Sequence, residues 1–165
     1  VSYTAGLLVN AQGERLINEA SQYSVVCNTV AWNDDELFLY DASNAEAAAV
    51  LEAAVELGEA FKGETIAELA AVAGMDADKL TATVTAYNGY AAAGEDAQFG
   101  KAPDYLKALE VAPFYAARFY PVYMGTLGGV VTDEKAHALN GEGQVIEGLY
   151  AVGEMSNRCY YNYGY

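Results

Sequence analysis

Gly148-Leu149-Tyr150-Ala151-Val152-Gly153-Glu154-Met155-Ser156-Asn157-Arg158-Cys159-Tyr160-Tyr161-Asn162-Tyr163-Gly164-Tyr165 is the stretch on which the reading of this chain turns. An apolar strand over Leu149 to Val152 stops at Gly153-Glu154, and a polar, tyrosine-rich segment follows. Short apolar runs of this kind mark strands buried in parallel sheets. Ligands of open α/β sheets sit beyond the carboxyl ends of such strands. A glycine there lets a ligand approach the backbone, because it has no Cβ. A carboxylate beside it can accept hydrogen bonds from two neighbouring hydroxyls, such as those of a ribose or ribityl chain. The stretch therefore predicts half of a ligand site, carried by Gly153 and Glu154.

The rest of the composition narrows the class. A chain of 165 residues has room for one core, or for one domain and part of another. Its formal charge of −15 argues against nucleic acid and against anionic membranes, both of which recruit clustered Lys and Arg. No apolar run is long enough to span a bilayer, and no signal peptide is visible. Cys27 and Cys159 lack the spacing of a thiolate site, and His137 is the only histidine, so no metal site is indicated. His137 falls in a turn-rich stretch and reads as surface.

Working back to the start, Thr4 to Val9 reads as a strand, Asn10 to Glu14 as a turn, and Arg15 to Asn18 as the returning strand of a hairpin. Arg15 and Glu19 read as surface charges of that hairpin. Glu36 to Tyr40 is a further strand. Helices follow. Ser43 or Asn44 caps one that runs to about Leu57 and stops at Gly58. Thr65-Ile66-Ala67-Glu68 has the form of a capping box, and that helix ends at Gly74. Asp76 caps a third helix, which buries Leu80, Val84, Tyr87 and Ala91 and ends at Gly94. Asp104 to Leu109 adds a helical turn. From Pro113 the pattern returns to strand, over Phe114 to Met124 and again from Gly128 to Val131. Ala136 to Ile146 is a hairpin around Asn140 to Gly143. The fold class is α+β: a helical cap with hairpins over residues 1–112, then a β-rich remnant over residues 113–165, with the boundary between Pro113 and Gly125.

Several of these segments, in this order, resemble the fumarate reductase and succinate dehydrogenase flavoproteins. Gly6-Leu7-Leu8-Val9-Asn10-Ala11-Gln12-Gly13-Glu14-Arg15-Leu16-Ile17-Asn18-Glu19 is similar to the opening of their capping domain. Leu80 to Gly94 resembles the last long cap helix, and Glu95-Asp96-Ala97-Gln98-Phe99-Gly100-Lys101 the loop after it. Ala112 to Ala116 and Thr126-Leu127-Gly128-Gly129-Val130 resemble the return into the FAD-binding domain, and Gly148 to Glu154 the strand and turn that touch the flavin nucleotide. The resemblance implies an FAD-dependent oxidoreductase acting on a C=C bond, with Gly128, Gly129, Gly153 and Glu154 against FAD. The family's G-x-G-x-x-G unit is absent. The resemblance thus implies a fragment, the cap with one flank of the FAD domain, which lacks the segments that complete the groove, holds no FAD tightly and is inactive alone. An exposed cut face would make it self-associate.

The active-site positions depart from the family. An arginine proton donor stands in fumarate reductases five residues after the Asn of the Asn-Glu motif; here that place is Tyr23. The substrate-binding histidine before Thr-x-Gly-Gly is replaced at Met124-Gly125. Later His and Arg clamps fall where this chain has Tyr160 to Gly164. Tyrosine cannot replace a guanidinium fork on a carboxylate, so the departures argue against fumarate and for a less charged, enone-like small molecule. Tyr23 is then the proton donor, since a phenol can serve if a neighbour lowers its pKa from about 10. Met124, Asn157, Arg158 and Tyr161 are the substrate-binding candidates. The rival reading is a non-catalytic binding or interaction module that kept a flavoprotein-like fold.

Overall fold

The computed structural model describes residues 1–32, 35–122 and 129–156, in two compact units, Val1–Pro121 and Val122–Tyr165. The first contains β1 (Leu7–Val9), α1 (Tyr23–Ala31), β2 (Leu37–Asp41), α2 (Ala45–Glu56), β3 (Ala60–Gly63), α3 (Ile66–Ala73), α4 (Ala77–Ala93) and β4 (Phe114–Arg118). The second contains β5 (His137–Leu139) and β6 (Val145–Tyr150). The class is α+β.

In the first unit the four strands form one antiparallel sheet in the order β1-β2-β4-β3. Helices cover both faces. Leu7, Leu39, Phe114 and Ala116 pack with Leu69 of α3 and Leu80, Val84 and Tyr87 of α4. Leu8, Phe38, Tyr40 and Tyr115 pack on the other side with Val26 of α1 and Leu51 of α2. Burial on both faces makes β1 apolar throughout, and β2 and β4 apolar up to their last residues, Asp41 and Arg118, although the sheet is antiparallel. Gly63 is where β3 meets α3; a Cβ there would collide with the backbone of Glu68 and Leu69.

The caps follow the sequence closely. The Asn44 side chain accepts the N–H groups of Glu46 and Ala47, and that of Asp76 accepts Lys79 N–H. Thr65 accepts Glu68 N–H, but the Glu68 carboxylate reaches back to Glu64 N–H, one residue earlier than a capping box requires. The turn at Pro103–Tyr105 is a single turn of 3₁₀ helix.

Three corrections concern boundaries. β4 hydrogen-bonds on one edge to β2 and on the other to β3, so it is a central strand of the first unit. The division therefore falls after Pro121 rather than after residue 112. The strand expected to run from Phe114 to Met124 ends at Arg118. Of the predicted buried strand over Leu149 to Val152, Leu149 and Tyr150 end β6, which pairs antiparallel with β5 and is exposed at all six positions; of the two residues after it, Ala151 is buried and Val152 exposed. An apolar run is buried only if another layer stands over it, and among the described residues of this unit there is only the hairpin.

The same five-residue turn appears three times. In Asn10–Glu14, Asp133–His137 and Asn140–Gln144, the Oδ1 of the first residue accepts the N–H of the third and of the fifth. The fourth residue takes a positive φ: 78° at Gly13, 65° at Ala136 and 80° at Gly143. Asp133 also pairs with His137 Nδ1 at 2.7 Å, which holds its carboxyl below the usual range.

A larger correction concerns Arg15 and Glu19, which are buried, with no side-chain exposure. After one bridge, Val9 to Arg15, the hairpin ends and both side chains turn inward. Arg15 Nε and Nη2 donate to the two Glu19 oxygens at 3.0 and 2.9 Å. Its Nη1 donates to Asp96 Oδ1 at 2.9 Å. Lys101 Nζ lies 3.2 Å from Glu19 and donates to Gly6 O and to the Tyr87 hydroxyl. Glu19 also accepts Leu8 N–H, and Asp96 accepts the N–H groups of Gln98, Phe99 and Lys101. The guanidinium lies 5.0 Å from the Tyr87 ring centre and 5.1 Å from that of Phe99. Burial opposes every one of these charges. For Arg15 the bonds to Glu19 and Asp96 more than offset it and hold the proton more firmly. For Lys101 burial prevails and lowers the pKa. Burial and the Glu19 charge push the Tyr87 phenol up to about 12.

Removing one partner of such a network strands a buried charge, at about 3–5 kcal/mol. Glu19→Ala is therefore expected to lower the stability of the first unit by that amount in urea denaturation, whereas exposed Glu46→Ala changes it by under about 0.5 kcal/mol. A pH dependence follows from Asp96. Burial raises its pKa, but the Arg15 bond and backbone N–H groups outweigh this and hold it at about 2. The unfolded value is about 3.9, so ionised Asp96 stabilises the fold fully above about pH 4. That contribution disappears as pH falls from about 4 toward 2. Denaturation midpoints across this range should drop in the native chain, and Asp96→Asn should flatten the slope; an equal slope in both would remove Asp96 from the account.

Candidate functional site

Tyr23 is the first residue of α1, a helix that opens without a side-chain cap at Gln22. It is half-exposed and lines a small apolar cavity of about 60 Å³ with Tyr3, Val26, Cys27, Phe38 and Phe119. Tyr120 and Pro121 close the rim. In the floor the Phe38 and Phe119 rings pack with centres 4.6 Å apart. Among the described residues no side chain hydrogen-bonds to the Tyr23 hydroxyl. Tyr120, by contrast, donates to Glu59 at 3.1 Å. An exposed phenol over an apolar floor can present one hydroxyl proton to a bound molecule while the floor excludes water from its far side.

Gly153 and Glu154 lie in the single 3₁₀ turn Gly153–Met155 that follows β6. Gly153 adopts φ +67°, a conformation that L side chains disfavour. Glu154 is exposed. Val130 N–H donates to Met155 O at 2.8 Å, so the exposed Gly129 backbone is brought beside this turn. Two of the separately predicted cofactor positions thus share one exposed edge of the second unit. Gly128, Met124, Asn157, Arg158 and Tyr161 lie outside the described residues, as does the tyrosine segment from Tyr160 onward. His137 is partly buried, with its ring 4.9 Å from that of Tyr150.

The cavity around Tyr23 contains groups that the sequence reading did not single out. Cys27 stands one helical turn after Tyr23, and Phe119 and Tyr120 follow β4. The spacing of Tyr23, Val26, Cys27 and Val30 is the signal that was present. The β-branched Val25, Val26, Thr29 and Val30, with no capping residue in front, masked it.

A family model described as FAD binding domain matches residues 2–163. The chain belongs to that family. It is 33% identical over 156 residues to the NADH:acrylate oxidoreductase of Vibrio harveyi, covering 91% of this chain and 15% of that protein. It is 30% identical to the 3-oxosteroid 1-dehydrogenase of Mycolicibacterium smegmatis, covering 92% of this chain and 33% of that protein. Among solved structures it is similar to the open conformation of a flavocytochrome c3 fumarate reductase, with a TM-score of 0.78 and 29% identity. That match covers 94% of this chain and 28% of the other. The chain thus spans a third or less of the length of these relatives. FAD is the cofactor of the family, and its resemblance to the fumarate reductase flavoproteins is borne out.

Proposed function

We propose that the chain is the substrate-covering portion, with adjoining FAD-domain strands, of an FAD-dependent oxidoreductase that reduces or forms a C=C bond next to a carbonyl group. The observation that carries this is the full-length family match, together with the named reactants of the relatives. Acrylate and fumarate carry an alkene beside a carboxyl group, and 1-dehydrogenation of a 3-oxosteroid forms one beside its ketone. The apolar cavity at Tyr23 supports a substrate with little charge over one that needs two cationic clamps.

The residues present fit the cofactor. Glu154 offers an exposed carboxylate after a side-chain-free, left-handed Gly153, and Gly129 adjoins it. In this reading Glu154 accepts the hydroxyls of FAD, and Gly129, Gly153 and the neighbouring Gly128 let it approach the backbone. When bound, the flavin would supply a hydride in its reduced form for C=C reduction, or accept one in its oxidised form for the reverse. What this chain adds is the proton and the cover. Tyr23 gives a proton from its hydroxyl oxygen to the second alkene carbon, or takes one in the reverse direction. Phe38 and Phe119 exclude water behind it. Met124, Asn157, Arg158 and Tyr161 are the substrate contacts of this proposal. The chain alone is inactive, because the rest of the FAD groove belongs to the longer protein.

In the full-length protein, Tyr23→Phe should lower turnover by about 10²-fold or more while the flavin absorbance per protein stays unchanged. Turnover equal to the native enzyme would remove Tyr23 from the mechanism. The second unit exposes Val145, Ile146, Leu149 and Tyr150 along β6, with Val152 and Met155 after it. In the isolated chain these apolar side chains are proposed to be buried against a second copy. Sedimentation should give a dimer or larger species at high concentration, lost in Leu149→Lys; a clean monomer at every concentration would refute it.

A further inference from the structure

On the face of the first unit's sheet opposite Tyr23, a cavity of about 270 Å³ opens at the ends of β2, β3 and β4. Its apolar wall is Leu37, Phe61 and Met75, which belong to the core on the α3 and α4 side. The cavity at Tyr23 rests on Val26 and Phe38 of the other core. Two opposite charges border the opening, Arg118 and Asp35. Among the described residues neither takes part in an ion pair, with each other or with anything else. The guanidinium instead lies over the Phe61 ring, 5.9 Å from its centre. Ala73 and Gly74 bring the C-terminal end of α3 to the same cavity. The N–H groups of Gly74 and Met75 cap the carbonyls of Ala70 and Ala71, so those of Val72 and Ala73 receive none of these bonds. A helix end of this kind carries partial negative charge.

We propose that this cavity binds a small zwitterion with an apolar side chain, the chemistry of an α-amino acid. Its carboxylate takes the guanidinium of Arg118, a fork suited to two parallel bonds. Its ammonium lies between Asp35 and the last α3 carbonyls. Its side chain covers Leu37, Phe61 and Met75. A plain anion would meet Asp35, the helix end and a chain of net charge −15. A plain cation would meet Arg118. The volume of about 270 Å³ is close to the lower end of ligand pockets, about 300 Å³, which suits a small ligand of this kind.

Titration calorimetry on the 165-residue chain with L-leucine tests this, with isopentylamine, 4-methylpentanoate and glycine as comparators that each lack one of the three groups. Saturable binding of leucine is expected, weakened tenfold or more in each comparator and in both Arg118→Met and Asp35→Asn. Both side chains are exposed, and unchanged circular dichroism melts will establish that the variants fold. No saturable heat with leucine or L-phenylalanine would overturn the proposal. So would leucine binding that both variants leave unchanged, or binding of 4-methylpentanoate as tight as that of leucine.

Discussion

Arg15 sits between two carboxylates with none of the three side chains exposed, and the first unit is arranged around that fact. A guanidinium cannot shed its charge, so the chain must bring it acceptors. Glu19 comes from the same loop, four residues on. Asp96 comes from the loop after α4, and Lys101 from the end of that loop. Each then makes further bonds to backbone: Glu19 to Leu8, Lys101 to Gly6, and Asp96 to its own loop. The network thus pins the edge strand β1 to the far end of α4. Arg15 and Lys101 offset Glu19 and Asp96, so the cluster is neutral although the chain is strongly acidic. Buried ion pairs are weak evidence for added stability against an apolar core of the same shape. What they do here is set geometry, since no single member can shift without stranding another.

This explains how much of the fold was legible in the residues. Helix ends were readable because caps are local: Asn44, Thr65 and Asp76 act on N–H groups two or three residues away. Gly74 and Gly94 likewise stop α3 and α4 by their own φ. The turn at Asn10 was readable for the same reason. The burial of Arg15 was not, because its second carboxylate lies 81 positions along the chain. Two of the segments that carried the resemblance, Gly6 to Glu19 and Glu95 to Lys101, hold the charged members of this network. A charge pattern that looked like surface was a long-range core contact. β4 was misassigned for a related reason. Its apolar residues say only that both faces are covered, and nothing local names the strands that flank it.

The candidate site divides in the same way. Gly153 and Glu154 were found from a strand end and a change of composition, which are local signals. Their proximity to Gly129 depends on one hydrogen bond, from Val130 to Met155, that spans the hairpin. Tyr23 was reached only by its register against a family motif. Its apolar surroundings come from β2 and from the residues after β4, and no local pattern links these to α1. Aromatic residues scattered in sequence converge there because α1 lies over the end of a sheet whose neighbouring strands are far apart in the chain.

The two units also differ in what their surfaces require. The sheet of the first is covered on both faces by its own helices, and its buried Arg15, Glu19, Asp96 and Lys101 satisfy one another. The hairpin of the second has Ala138 and Ala151 buried but every residue of β6 exposed, including four large apolar side chains. Two-stranded ribbons are marginal in water unless something packs on their apolar side. The exposed edge that carries Gly129 and Glu154 therefore belongs to the part of the chain with the least support of its own. A cofactor or a further layer bound there would stabilise the second unit directly, by mass action on its folded state. The charge network of the first would be untouched. The two units are thus built on different physical footings, one held by internal electrostatics and the other carrying a hairpin with exposed apolar side chains.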